Sequence, residues 1–135
     1  MLHSLLLSLF LITATPVAYQ QVEIFDTDKE KVVETIDNSE SFQQVASSIL
    51  ASVTRRVSEM SPQLEKSIIV KIPLQPPQRI KFEPSIQSPI REMFIVLPKS
   101  EKRNPWLILH SKDEETHLFE FSGSVQELRR LIHRE

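Results

Sequence analysis

Residues 37–62 read DNSESFQQVASSILASVTRRVSEMSP, and how this stretch folds decides the architecture. Asp37 and Glu40 stand three apart, the spacing of a capping box with Asp37 as N-cap. Phe42, Val45, Ala46, Ile49, Leu50, Val53, Val57 and Met60 then recur at three- and four-residue intervals, which lines up one apolar face of a helix. Gln43, Gln44, Ser47, Ser48, Arg55 and Glu59 fall on the opposite, polar face. Pro62 ends the pattern, because proline lacks the N–H a helix needs. The spacing predicts a helix of about 20 residues, or ~30 Å, long enough to lie across a sheet.

The flanks supply that sheet. Upstream, residues 22–25 and 31–36 are short β-branched runs around the polar turn Asp26 to Lys29. Downstream, Ser67 to Leu74 reads as a strand, with Pro73 marking an edge or the strand's end. Five prolines between Pro73 and Pro89 imply an extended excursion. Met93 to Leu97 is an unbroken apolar run, the mark of a buried central strand. Residues 99–104 form a charged loop, and residues 105–110 and 116–121 form a hairpin. Ser124 and Glu127 repeat the capping-box spacing and open a short terminal helix through Leu128, Leu131 and Ile132. The expected fold class is therefore α+β: an antiparallel sheet with one long amphipathic helix packed on a face and a short C-terminal helix. Strand alternation puts Leu107, Leu109 and Leu118 on one side of the hairpin and Ile108 and Phe119 on the other. Both sides are apolar, so the second needs a cover, either the short helix or a partner chain.

The organisation is an N-terminal segment, residues 1–21, followed by one domain over residues 22–135. Leu5 to Ile12 is a compact apolar run, and small residues follow it up to Ala18. This matches a signal peptide, although no Lys or Arg leads the run and Pro16 sits badly for cleavage after Ala18. Leu2 to Ala18 also approaches the length of a membrane anchor. A third reading, a buried helix or strand of the domain itself, is weakened because the run has no polar face. The first two place the domain outside the cytoplasm, as a secreted or an anchored protein.

Composition excludes several functions. The chain has one glycine, Gly123, so a phosphate-cradling loop, a dinucleotide fingerprint and a nucleophile elbow have no residues to build them. With no cysteine, thiol catalysis, thiolate metal sites and disulfides are also excluded. A net charge of -2 lacks the basic footprint of a nucleic-acid partner. No cofactor is expected, and no serine has an acid–base pair in support.

The candidate chemistry is confined to His110 and His117. If Lys112 to Glu115 make a four-residue loop, these two face each other with Cβ atoms about 5 Å apart. Two imidazoles so placed could clamp a metal, with Asp113, Glu114 or Glu115 as third ligand, or act as a pH-responsive pair. The plainer reading is two half-exposed residues near a hairpin end. Arg55-Arg56 and Arg129-Arg130 are solubilising pairs or contacts for an anionic polymer. Residues 71–77, KIPLQPP, either end a strand or suit a proline-binding groove.

The runs IIVKIPLQPP, EMFIVLPKSE and PWLILHSKDEETHLFEF, with the terminal short helix, resemble uncharacterised small exported proteins of Gram-positive, spore-forming bacteria. The likeness spans about residues 30–135, implies export, and carries over no functional residue. The leading expectation is a non-enzymatic binding or structural module of the cell envelope. It would engage a protein, an envelope component or a second copy through its sheet. The alternatives are a small metal-dependent or hydrolytic enzyme using His110 and His117, and an inhibitor of an exported enzyme.

Overall fold

Residues 37–62 do not form one helix. In the computed structural model, which describes residues 19–58, 62–81 and 86–133, α1 covers Glu40–Ala51 and stops. Ser39, not Asp37, is its N-cap, with its Oγ accepting from the Phe42 N–H at 3.4 Å. At the other end the Ser52 N–H and Oγ both donate to the Ile49 carbonyl, at 3.0 and 2.8 Å. The next four residues, Val53–Arg56, become a strand, β3. β-Branched Val53 and Thr54 fit a pleated ladder better than a helix turn, and the free edge of another strand supplies the partner. The tertiary ladder overrides the local period.

The fold class expected from sequence is accordingly corrected. The molecule is mostly antiparallel sheet, with seven strands and two short helices of 12 and 8 residues. The other strands are β1 (Val22–Asp26), β2 (Lys31–Ile36), β4 (Ser67–Gln78), β5 (Ile90–Pro98), β6 (Trp106–Ser111) and β7 (Thr116–Phe121), and α2 is Gln126–His133. Their order across the sheet is β2-β1-β4-β5-β6-β7-β3, every neighbour antiparallel. Most of the N-terminal segment, residues 1–18, lies outside the described residues. Among the described residues no helix is long and apolar enough to cross a membrane.

Register sorts the side chains into rows. Ile24, Val70, Ile95, Leu107 and Phe119 are direct neighbours across five strands, all buried, and they define the inner face. Ile72, Met93, Leu109 and His117 make the adjacent inner row. α1 packs Phe42, Val45, Ala46, Ile49 and Leu50 into this core, and α2 adds Leu128 and Ile132. One feature of that docking contradicts the amphipathic reading: Gln43 is buried. Its Nε2 donates to the Pro73 carbonyl at 2.8 Å, and its Oε1 accepts from the Gln75 N–H at 3.0 Å. The prolines of β4 interrupt its ladder with β5 between Pro73 and Gln78, and Gln43 satisfies the groups released.

The outer face carries Lys71, Phe94, Ile108 and Leu118 in one row and Ile69, Val96, Trp106 and Glu120 in the next. β3 pairs beside β7, so the chain must pass over three strands to begin β4. Pro62 and Gln63 of this crossover share a cavity with Trp106 and Glu120, which places them beside that part of the outer face. Phe94, Ile108 and Leu118, in the adjacent row, are half-buried. Both sheet edges are interrupted by a bulge, at Val33 in β2 and Thr54 in β3. Val32 and Val33 on the β2 edge remain 45% and 42% exposed.

The single glycine has a packing reason. A Cβ at Gly123 would stand 2.6 Å from Ser52 Oγ, the atom that accepts the Gly123 N–H at 2.9 Å. This close approach ties the end of α1 to the end of β7.

Candidate functional site

The hairpin that holds the two histidines closes differently from the sequence expectation. Ser111 N–H donates to the Glu115 carbonyl at 3.0 Å, so the loop is Lys112 to Glu114, three residues rather than four. Glu114 adopts φ 65°, the left-handed residue that such loops require. The pairs become His110 with Thr116 and Leu109 with His117. A one-residue slip turns every side chain of β7 over. Phe119 therefore joins Leu107 and Leu109 inside, Leu118 joins Ile108 outside, and the histidines point to opposite faces. They cannot hold one ion between them. Among the described residues no group of three or more His, Asp or Glu side chains is placed to hold a metal.

Each histidine has its own setting. His110 is half-buried on the outer face, with Nδ1 2.8 Å from Glu92 Oε1 of β5 and its ring edge-to-face with Phe94 at 5.2 Å. Lys71 Nζ stands 3.7 Å from the other carboxylate oxygen. Burial works to raise the Glu92 carboxyl, but the His110 hydrogen bond and the charges of Lys71 and Arg91 outweigh it and hold it below the usual range. An ionised carboxylate only accepts, so Nδ1 is the donor and Nε2 stays available. His117 is 8% exposed in the inner row, stacked on Phe119 with ring centroids 6.4 Å apart. Its Nε2 has no hydrogen-bond partner among the described residues, and Glu115 Oε2 lies 3.6 Å away, beyond a bond.

The proposed third ligands are occupied elsewhere or exposed. Asp113 accepts a short hydrogen bond from Ser111 Oγ, which is the main cause holding its carboxyl low. Glu114 and Glu115 are exposed at the loop. The two arginine pairs of the helix reading also part company. Arg55 lies on β3 and pairs with Glu120 at 3.2 Å, Arg56 stands 5.3 Å over the Phe119 ring, and Arg130 pairs with Glu127 one turn back.

Sequence reasoning missed a second cluster, at the end of the sheet away from the hairpin. Lys99 Nζ reaches Asp26 Oδ1 at 3.0 Å and Asp28 Oδ2 at 2.8 Å, clamping the β1–β2 turn to the β5–β6 loop. The lysine hydrogen bond is the largest cause lowering both carboxyls, and the same bonds raise the ammonium. Arg103 Nη2 reinforces the loop by donating to the carbonyls of Glu65 at 2.9 Å and Lys66 at 3.2 Å. The only sequence signal was the high charge of residues 26–31 and 99–103, which is equally that of a solvated turn.

This stiffened loop separates two concavities. Outside it lies the cavity beneath the crossover, with Trp106 and Pro62 in its walls. Inside it, a cavity of about 630 Å³ opens between the sheet and α2. Its floor is Ile24, Ile68 and Leu97, its helical wall is Val125 and Ile132, and Arg103 and Arg129 stand at its lining. Comparison with protein-family models, curated proteins and solved structures finds no match to this chain.

Proposed function

We propose that this domain is a non-enzymatic binding or structural module of the cell envelope, held outside the cytoplasm by export. The N-terminal apolar segment and the resemblance to small exported proteins support the location. The observation that carries the binding reading is the half of the outer face beyond the crossover. There Phe94, Ile108 and Leu118 lie half-buried in a row beside the Lys71–Glu92–His110 cluster. An apolar row next to a pre-oriented polar group is the composition of a protein-contact patch. The histidines lie on opposite faces, so the metal-dependent alternative lacks the pairing on which it rested.

The test is photo-crosslinking in the natural host, with a benzophenone side chain at Ile108 of the full chain. A discrete crosslinked species is expected, and Leu118→Asp should remove it. A band that survives Leu118→Asp, or no band in the exported fraction, overturns the reading.

A further inference from the structure

We infer that the free edge of β2 pairs with the β2 edge of a second copy of this chain, around a two-fold axis through Val32 and Val33. This goes beyond the outer-face reading, because it uses the rim of the sheet and other residues. β2 has a neighbour on one side only, so its other side offers unpaired backbone groups. Val32 and Val33 lie side by side on that edge. With Leu64 they are the large apolar side chains left exposed among the described residues. They also end a longer row. Val32 stands opposite Phe25, Phe25 opposite Ile69, Ile69 opposite Val96, and Val96 opposite Trp106. The outer face therefore carries one apolar row from β6 to the rim.

The register selects the partner. An axis normal to the sheet keeps outer face beside outer face, so the two apolar rows join end to end. Lys31 stands opposite Asp26 and Glu34 opposite Ile24, both buried inner residues, which places Lys31 and Glu34 on the inner face. Because of the bulge, two residues, Val32 and Val33, lie between them. Rotation around the axis then brings Lys31 of each copy to Glu34 of the other, one ion pair on either side of four valines. Opposite charges at such cross-strand positions attract, and like charges repel. Glu34 has an interaction within its own chain as well, and a carboxylate accepts from more than one donor. The other rim offers no such match. β3 carries Arg55 and Arg56, and a second β3, or Lys31 of β2, would bring like charges together. The bulge gives up ladder bonds at the axis itself, so the contact is short and held mainly by side chains.

The chain has no cysteine, so one introduced thiol reports a two-fold contact without interference. Val33→Cys, in the full chain held in a mild non-ionic detergent, is expected to give a disulfide-linked dimer on gentle oxidation. Ser47→Cys, at an exposed position of α1, should give little. On the Val33→Cys background, Lys31→Glu and Glu34→Lys should each lower the yield about tenfold. Mixing these two variants should restore it, because one then presents two acidic residues and the other two basic ones. Val32→Lys, at another exposed position, should lower the yield whether or not Glu34→Lys folds. Equal yields from Val33→Cys and Ser47→Cys, no loss in Val32→Lys, or no recovery on mixing the two folded charge variants would overturn the proposal. Association through the N-terminal apolar segment would be insensitive to Val32 and Lys31, and failure here leaves the crosslinking result at Ile108 untouched.

Discussion

On the inner face of this sheet every polar group has to find a partner inside the protein; on the outer face water completes the set. Gln43 and His117 show the two outcomes within the inner layer. Gln43 makes bonds through both ends of its amide, whereas His117 leaves Nε2 unmet. Outside, His110 needs only Glu92, because its other nitrogen can be solvated. The difference shows that burial, not residue type, decides what a polar side chain does for stability.

The sharpest way to break this contrast is Gln43→Ala. It removes the acceptor of the Gln75 N–H and the shorter of two hydrogen bonds to the Pro73 carbonyl. A loss of about 2–3 kcal/mol in urea unfolding is expected. A loss below about 1 kcal/mol would mean that water reaches the seam and that the inner face is not dry. Next in size is His117→Leu, which deletes an unmet buried nitrogen and keeps the volume apolar. Stability should rise by about 1 kcal/mol; a fall would show that His117 has a partner in solution. Smallest is His110→Ala, expected to cost no more than about 1 kcal/mol, as for other part-exposed ion pairs.

The carboxylates give the contrast a pH dependence. Glu92, Asp26 and Asp28 are held below their usual range, so their contribution is present above the unfolded-state values, near 4. It is lost as pH falls through the lower folded values. Lys99 is raised, so its contribution holds below its unfolded value, near 10, and fades as pH rises through the folded one. In Lys99→Met the acid-side decline from about pH 4 should become shallower, as read from urea midpoints between pH 2 and 6. An unchanged slope would place the acid sensitivity elsewhere.

Much of the strand pattern was legible in the sequence, because alternation and β-branching report the pleat directly. The first half of residues 37–62 was legible as helix for the same local reason. Its second half was not, since Val53 and Val57 suit either structure and only the edge of β7 decides between them. The histidine pairing turned on one loop residue, and alternation cannot distinguish a three-residue loop from a four-residue one. Gln43 was misplaced on the solvent face because its value lies in backbone groups of Pro73 and Gln75, about 30 residues away. The inner cavity was illegible in principle. Its lining comes from β1, β2, β4, β5, the β5–β6 loop and α2, so it belongs to no single segment.

The pairing of β3 with β7 also has a meaning in time. Val53–Arg56 emerges early from the ribosome, yet its partner begins at Thr116, and β1 likewise waits for β4. The meander from β4 to β7 pairs its strands in sequence order, as the β1–β2 hairpin does, so neither needs a distant partner to form. Until the meander forms, Val53 and the apolar face of α1 have nothing to rest on. β3 is therefore obliged to stay unpaired until the chain has been made through Phe121.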